Sequence, residues 1–70
     1  FHLSNRETDV FVCVAKRMTN KDISDMLNIS VHTVITHRKN IVKKTGIKSV
    51  SGLTVYALLN NLVEESEIYE

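Results

Sequence analysis

The sequence predicts an all-α domain of four helices, and three observations carry that expectation. The 70-residue chain has no proline and only two glycines, so little in it breaks a helix. Four times a Ser or Thr precedes apolar residues at helical spacing, where its side-chain oxygen can accept from the free N–H groups of a helix start. No stretch alternates apolar and polar residues cleanly enough for a half-buried strand. Val10 to Val14 is rich in β-branched residues, but the cap before it and Ala15 after it decide for helix.

Ser4 followed by Glu7 forms a capping box, after which Val10, Phe11, Val14 and Ala15 recur at helical spacing. The first helix is expected from about Asn5 to Arg17. Thr19 and Asp22 repeat the capping logic before Ile23, Met26 and Leu27, which make the apolar face of a second, short helix ending near Leu27 or Asn28. Ser30 caps a third helix that carries Val34, Ile41 and Thr45 on one face until Gly46 stops it. Ser49 caps a fourth, with Leu53, Val55, Tyr56, Ala57, Leu58, Leu59 and Leu62, and Asn61 as its left-handed terminator. The connections are short, about two to three residues, and leave no room for a substrate lid. The segment after Val63 is expected to fray.

Size and composition exclude several classes. A chain this short hides only about 60% of the surface its unfolded form exposes, so one thin core is all it can build, without a substrate-sized pocket. The single cysteine permits no internal disulfide, and His2, His32, His37 and Cys13 have no metal-ligand spacing, so no metal or cofactor is expected. A reducing, cytoplasmic compartment follows from that cysteine usage. No apolar run approaches the ~20 residues of a membrane span, and no signal peptide is visible. Asp22 and Asp25 share a helix but lack an accompanying nucleophile, metal set or pocket, so no enzyme is expected. A first residue of Phe1 rather than Met suggests a piece of a longer protein.

The formal charge of +1 conceals an uneven distribution. No acid occurs from Met26 to Val63, a span holding Arg38, Lys39, Lys43, Lys44 and Lys48, whereas Glu64, Glu65, Glu67 and Glu70 crowd the end. Within Asn20 to Lys39 the spacing is that of a helix-turn-helix: Ile23, small Ser24, Leu27, a turn at Asn28, Ile29, then Val34. Two helices crossing steeply need a small side chain where their backbones approach and apolar residues to hold the angle. On a helical wheel Val34, Ile41 and Thr45 fall within about 40°, and His32, Thr36, Lys39 and Lys43 lie opposite. Such a face suits duplex DNA: Lys39 and Lys43 can neutralise phosphates, while Ile35 and Thr36 reach base edges, Ile35 against a thymine methyl. The free N–H groups at the Thr19 and Ser30 caps offer phosphate sites, with Asn20 and Lys21 beside the first.

Four stretches together, LSNRETDVF at 3–11, TNKDISDMLNIS at 19–30, HTVITHRKNI at 32–41 and KKTGIKS at 43–49, resemble the LuxR/FixJ-type helix-turn-helix effector domain of bacterial response regulators and quorum-sensing receptors. The resemblance covers residues 3–63, the expected domain, and leaves 64–70 as an acidic C-terminal tail. It implies a cytoplasmic transcription regulator that binds a two-half-site operator as a homodimer, with RNA polymerase as a further partner and no small-molecule ligand in this domain. The family's Thr-Val-Lys-x-His reads here as Thr33, Val34, Ile35, Thr36 and His37. Thr33 matches a phosphate contact, and Asn20 with Lys21 matches the polar start of the scaffold helix. Ile35 stands in place of the usual cation, which moves base contact toward Thr36, Lys39 and His32. Arg17 stands where the family has glycine, at a cost of about 1 kcal/mol if the left-handed turn is kept, and Thr45 replaces a leucine.

The DNA-binding set is therefore Thr19, Asn20, Lys21, Ser30, His32, Thr33, Ile35, Thr36, His37, Lys39 and Lys43. His37, at the border of core and groove, is expected to be a satisfied packing residue, and Cys13 an inert one. The fourth helix is apolar all round, more than one small domain can bury, so a partner surface is expected at Val50, Val55, Leu58, Leu59 and Leu62. In the resembling family this helix is the dimer contact. The alternative is that Ile68 and Tyr69 fold back to cover it. Two other functional readings compete: a sigma region-four-like module that binds core polymerase, and a helical adaptor that binds protein and not DNA.

Overall fold

The computed structural model describes residues 2–68. They form α1 (Asn5–Ala15), α2 (Asn20–Leu27), α3 (Val31–Thr45), α4 (Val50–Leu59) and a single turn, α5 (Glu65–Ile68). No strand occurs among the described residues. Each of the four principal helices starts at its expected cap: Ser4, Thr19, Ser30 and Ser49 each accept from the amide three residues on. At α1 the box is reciprocal, with the Ser4 amide donating to Glu7 Oε1 at 2.9 Å and the Glu7 amide to Ser4 Oγ at 3.1 Å.

Left-handed residues close the helices. Arg17 (φ 65°), Asn28 (φ 56°), Gly46 (φ 72°) and Asn61 (φ 57°) all occupy that region. After α1 the Met18 amide reaches back to the Cys13 carbonyl and the Arg17 amide to that of Val14, the paired bonds of a Schellman ending. Leu62 to Ala57 and Asn61 to Leu58 repeat the pattern after α4. Because Arg17 turns left-handed, α1 stops at Ala15, short of the expected Arg17. Of the connections, 28–30 has the expected three residues, while 16–19 and 46–49 hold four, each including a left-handed residue and a cap, and 60–64 leads into α5.

α1 is the central helix, packed on both α3 and α4, while α2 packs mainly on α3. Val10, Phe11, Val14, Ile23, Val34 and Ile41 are fully enclosed, each side chain contributing roughly 1.5–3 kcal/mol of burial. Phe11 meets Tyr56 with ring centroids 5.5 Å apart. Buried Thr54 donates to the Ala15 carbonyl at 3.3 Å, which satisfies the open end of α1 from α4. Thr45 has a use a leucine could not supply: its hydroxyl donates to the Ile41 carbonyl at 2.8 Å and accepts from the Ile47 amide at 3.1 Å. Gly52 is set by close approach, since a Cβ there would lie 2.7 Å from Ile47 Cγ2.

One expectation needs correction. The segment after Val63 is expected to fray, but residues 64–68 are held in place: Val63 is buried, Ile68 packs on the core, and Lys16 Nζ pairs with Glu67 Oε2 at 2.7 Å. The Glu64 amide also donates to Glu67 Oε1 at 2.9 Å, a local closure of the turn. Ordering therefore runs past the expected boundary at 63, because apolar anchors and an ion pair hold the acidic residues between them. Leu58, expected on the partner surface, is half-buried against the core, because it lies one turn beyond buried Thr54 and falls on that side of the helix. Tyr69, the other residue considered as a cover for α4, lies outside the described residues.

Candidate nucleic-acid interface

The α2–turn–α3 unit is built by its small and apolar residues. Asn28 turns left-handed, and the Ile29 amide donates to the Ser24 carbonyl at 3.0 Å. Ser24 is buried, its hydroxyl returned to the Lys21 carbonyl at 2.7 Å, which lets α3 approach α2 closely. Ile23 and Val34 are fully enclosed and Leu27 and Ile29 half-buried, so the crossing angle is held from both sides. Along α3 the opposite face is exposed: His32, Ile35, Thr36, Lys39 and Lys43 all meet solvent.

The start of α3 differs electrostatically from the two before it. Glu7 in α1 and Asp22 in α2 reach back to their own caps, so an acid already occupies each of those N-termini. In α3 the corresponding residue is Thr33, and the first turn holds no acid. Ser30 Oγ accepts from the Thr33 amide at 3.0 Å and lies 2.9 Å from Thr33 Oγ1, while the remaining amides and the helix dipole face outward. An anion is favoured there. At Thr19 the equivalent position is partly satisfied, the Thr19 amide donating to Asp22 Oδ2 at 3.4 Å, so the two expected phosphate sites are unequal.

The cations divide into paired and unpaired. Lys44 Nζ lies 2.6 Å from Glu7 Oε1, and Lys21 holds Asp25 through both carboxylate oxygens at 2.7 and 2.9 Å. Both groups of the Lys21–Asp25 pair are largely exposed, so it contributes little and a phosphate can displace it. Lys39 and Lys43 make no side-chain hydrogen bond or ion pair among the described residues. Asn20, expected at the DNA, accepts from Arg38 Nη1 at 2.9 Å. Thr36 donates to the His32 carbonyl at 3.1 Å, which leaves its oxygen able to accept. The His37 ring is half-buried, but its Nδ1 is sealed from solvent without a hydrogen-bond partner, so the expectation of a satisfied imidazole fails at that atom.

Sequence reasoning missed Arg38. On the wheel it falls beside the core face, yet its guanidinium reaches across to Asn20 of α2, and the residue lines two concavities of the surface. One, of about 640 Å³ and open to solvent, is formed by Asn20, Ile35, Arg38, Lys39, Val42 and Lys43. The other, of about 430 Å³, lies among Val14, Arg17, Met18, Arg38, Val50 and Ser51. Cys13 is buried and its thiol is pushed up by desolvation, which keeps it protonated. No described helix is long and apolar enough to cross a membrane.

Comparison with known proteins agrees with this geometry. Residues 2–57 match the family model described as bacterial regulatory proteins, luxR family. The chain is 40% identical over 63 residues to the transcriptional regulatory protein MctR of Rhizobium johnstonii, covering 90% of this chain and 29% of that protein. It is 42% identical over 62 residues to the oxygen regulatory protein NreC of Staphylococcus aureus, covering 89% of this chain and again 29% of the relative. The chain thus spans less than a third of the length of these curated relatives. No solved structure matches it. The family match displaces the adaptor and sigma-module readings: the chain belongs to the luxR family of bacterial regulatory proteins and is a helix-turn-helix DNA-binding domain.

Proposed function

We propose that this domain is the output domain of a cytoplasmic two-component response regulator, binding a two-half-site operator as a homodimer with RNA polymerase as a further partner. The observation that carries the DNA contact is the exposed face of α3, where Lys39 and Lys43 stand unpaired on a helix whose first turn is free of acid. In this reading α3 enters the major groove, which at about 12 Å wide accepts a helix. Ser30, Thr33 and the first amides of α3 hold one phosphate, and Thr19, Asn20 and Lys21 approach another. Lys39 and Lys43 neutralise flanking phosphates, and His32, Ile35, Thr36 and His37 face the base edges or the border of the groove. Exposed Val50, Val55, Leu59 and Leu62, with half-buried Leu58 among them, join two copies, so that half-sites lie about 34 Å apart or a multiple of that.

The test is a salt titration of duplex binding by fluorescence anisotropy. Lys39→Ala is expected to weaken binding to all sequences alike and to reduce the slope of log K against log salt by about one. A flat dependence for the unsubstituted domain would overturn the reading.

A further inference from the structure

The concavity on the α3 face has a mixed character. Its rim is polar and cationic, from Asn20, Arg38, Lys39 and Lys43, but Ile35 and Val42, two turns apart on the same stripe, line it with branched hydrocarbon. Ile35 is 37% exposed although it sits among charged groups that water solvates well. Resting on the reading of α3 as the groove-entering helix, we infer that Ile35 selects thymine, seating the C5-methyl group of one thymine in each half-site.

Elimination leads to that base. Guanine presents only acceptors in the major groove, cytosine an amino donor, and adenine an acceptor with a donor. Any of these pressed against a butyl side chain loses water and gains no partner, which is unfavourable. Thymine alone among the four bases offers an apolar group to the major groove. The cationic rim supplies the approach, since Lys39, one turn beyond Ile35, and Lys43, a further turn on, draw the phosphates on either side of the helix. Position on α3 also fits, because base edges are met by the first turns of a recognition helix, and Ile35 is its fifth residue. The selectivity belongs to Ile35 itself and not to charge, so it should be independent of salt.

Binding sites are first selected from a random duplex pool with the domain, and each thymine of the recovered half-site is then replaced singly by deoxyuridine, which removes only the methyl group. One thymine per half-site should lose about fourfold in affinity, the value of one buried methyl, with the salt slope unchanged. In Ile35→Ala, checked for helical content by circular dichroism, thymine and uracil should bind alike; Ile35→Val should keep most of the preference. Equal affinity for thymine and uracil at every position, or a preference that survives in Ile35→Ala, would overturn the inference while leaving DNA binding intact. Absence of any salt-dependent duplex binding would instead remove the underlying reading, and this inference with it.

Discussion

Arg17 occupies a left-handed backbone conformation that glycine adopts without steric cost. Its amide closes α1 on the Val14 carbonyl and lets the chain reverse into the Thr19 cap, so the conformation is required by the α1–α2 connection. Arg17→Gly should therefore raise stability by about 0.5–1 kcal/mol, the relief of strain less the greater freedom of glycine in the unfolded chain. A thermal melt checks this, with a midpoint about 3–7 °C higher expected. Arg17→Ala, which keeps the strain, should show no such gain; if both substitutions act alike, the side chain and not the backbone is responsible. Asn28 and Asn61 meet the same demand at lower cost, since asparagine tolerates this region better than arginine.

Between helices, the tie from Glu7 to Lys44 joins the start of α1 to the end of α3. Glu7 is only 5% exposed, and its carboxyl is held below the ordinary carboxylate range first by the Lys44 ammonium and then by the Ser4 amide. Its folded value lies below its unfolded one, so this stabilisation is complete above the unfolded value of about 4.3 and disappears as pH falls through the lower folded value. Glu67, held down by Lys16 and then by the Glu64 amide, adds to the same trend. Lys44→Met should flatten the loss of stability between about pH 5 and pH 3, measured by urea denaturation at several pH values. An unchanged acid profile would refute the role of the pair. Neither tie was legible in the sequence. Caps, left-handed stops and helix faces depend on neighbours within a turn, and Ser4, Asn28, Gly46 and the Val34–Ile41 stripe announced themselves accordingly. Glu7 with Lys44, Asn20 with Arg38 and Lys16 with Glu67 meet only once the crossing angles exist, and periodicity carries no information on those angles. The docking of α5 was legible only as an alternative resting on Ile68, for the same reason, its charge pattern suggesting a solvated end.

As an assembly unit the domain leaves one surface unexplained by its own core. Val55 is 54% and Leu59 78% exposed on α4, while Leu53 and Ala57 on the other side are buried. Docked α5 does not cover them, although Ile68 reaches the core. Leu59→Asp should abolish dimer formation on a two-half-site duplex while leaving the thermal midpoint within about 2 °C, because an exposed side chain contributes little to the monomer. Sedimentation of the protein–DNA complex distinguishes one bound copy from two, and a monomeric unsubstituted complex would refute the α4 contact. The charge distribution, finally, bears on how fast the domain finds DNA. None of the ion pairs among the described residues involves Lys39 or Lys43, so these ammonium groups have no internal carboxylate to release before they meet a phosphate. Association then carries no exchange step at these groups, and long-range attraction acts on the encounter itself, where salt slows arrival as well as weakening the final complex.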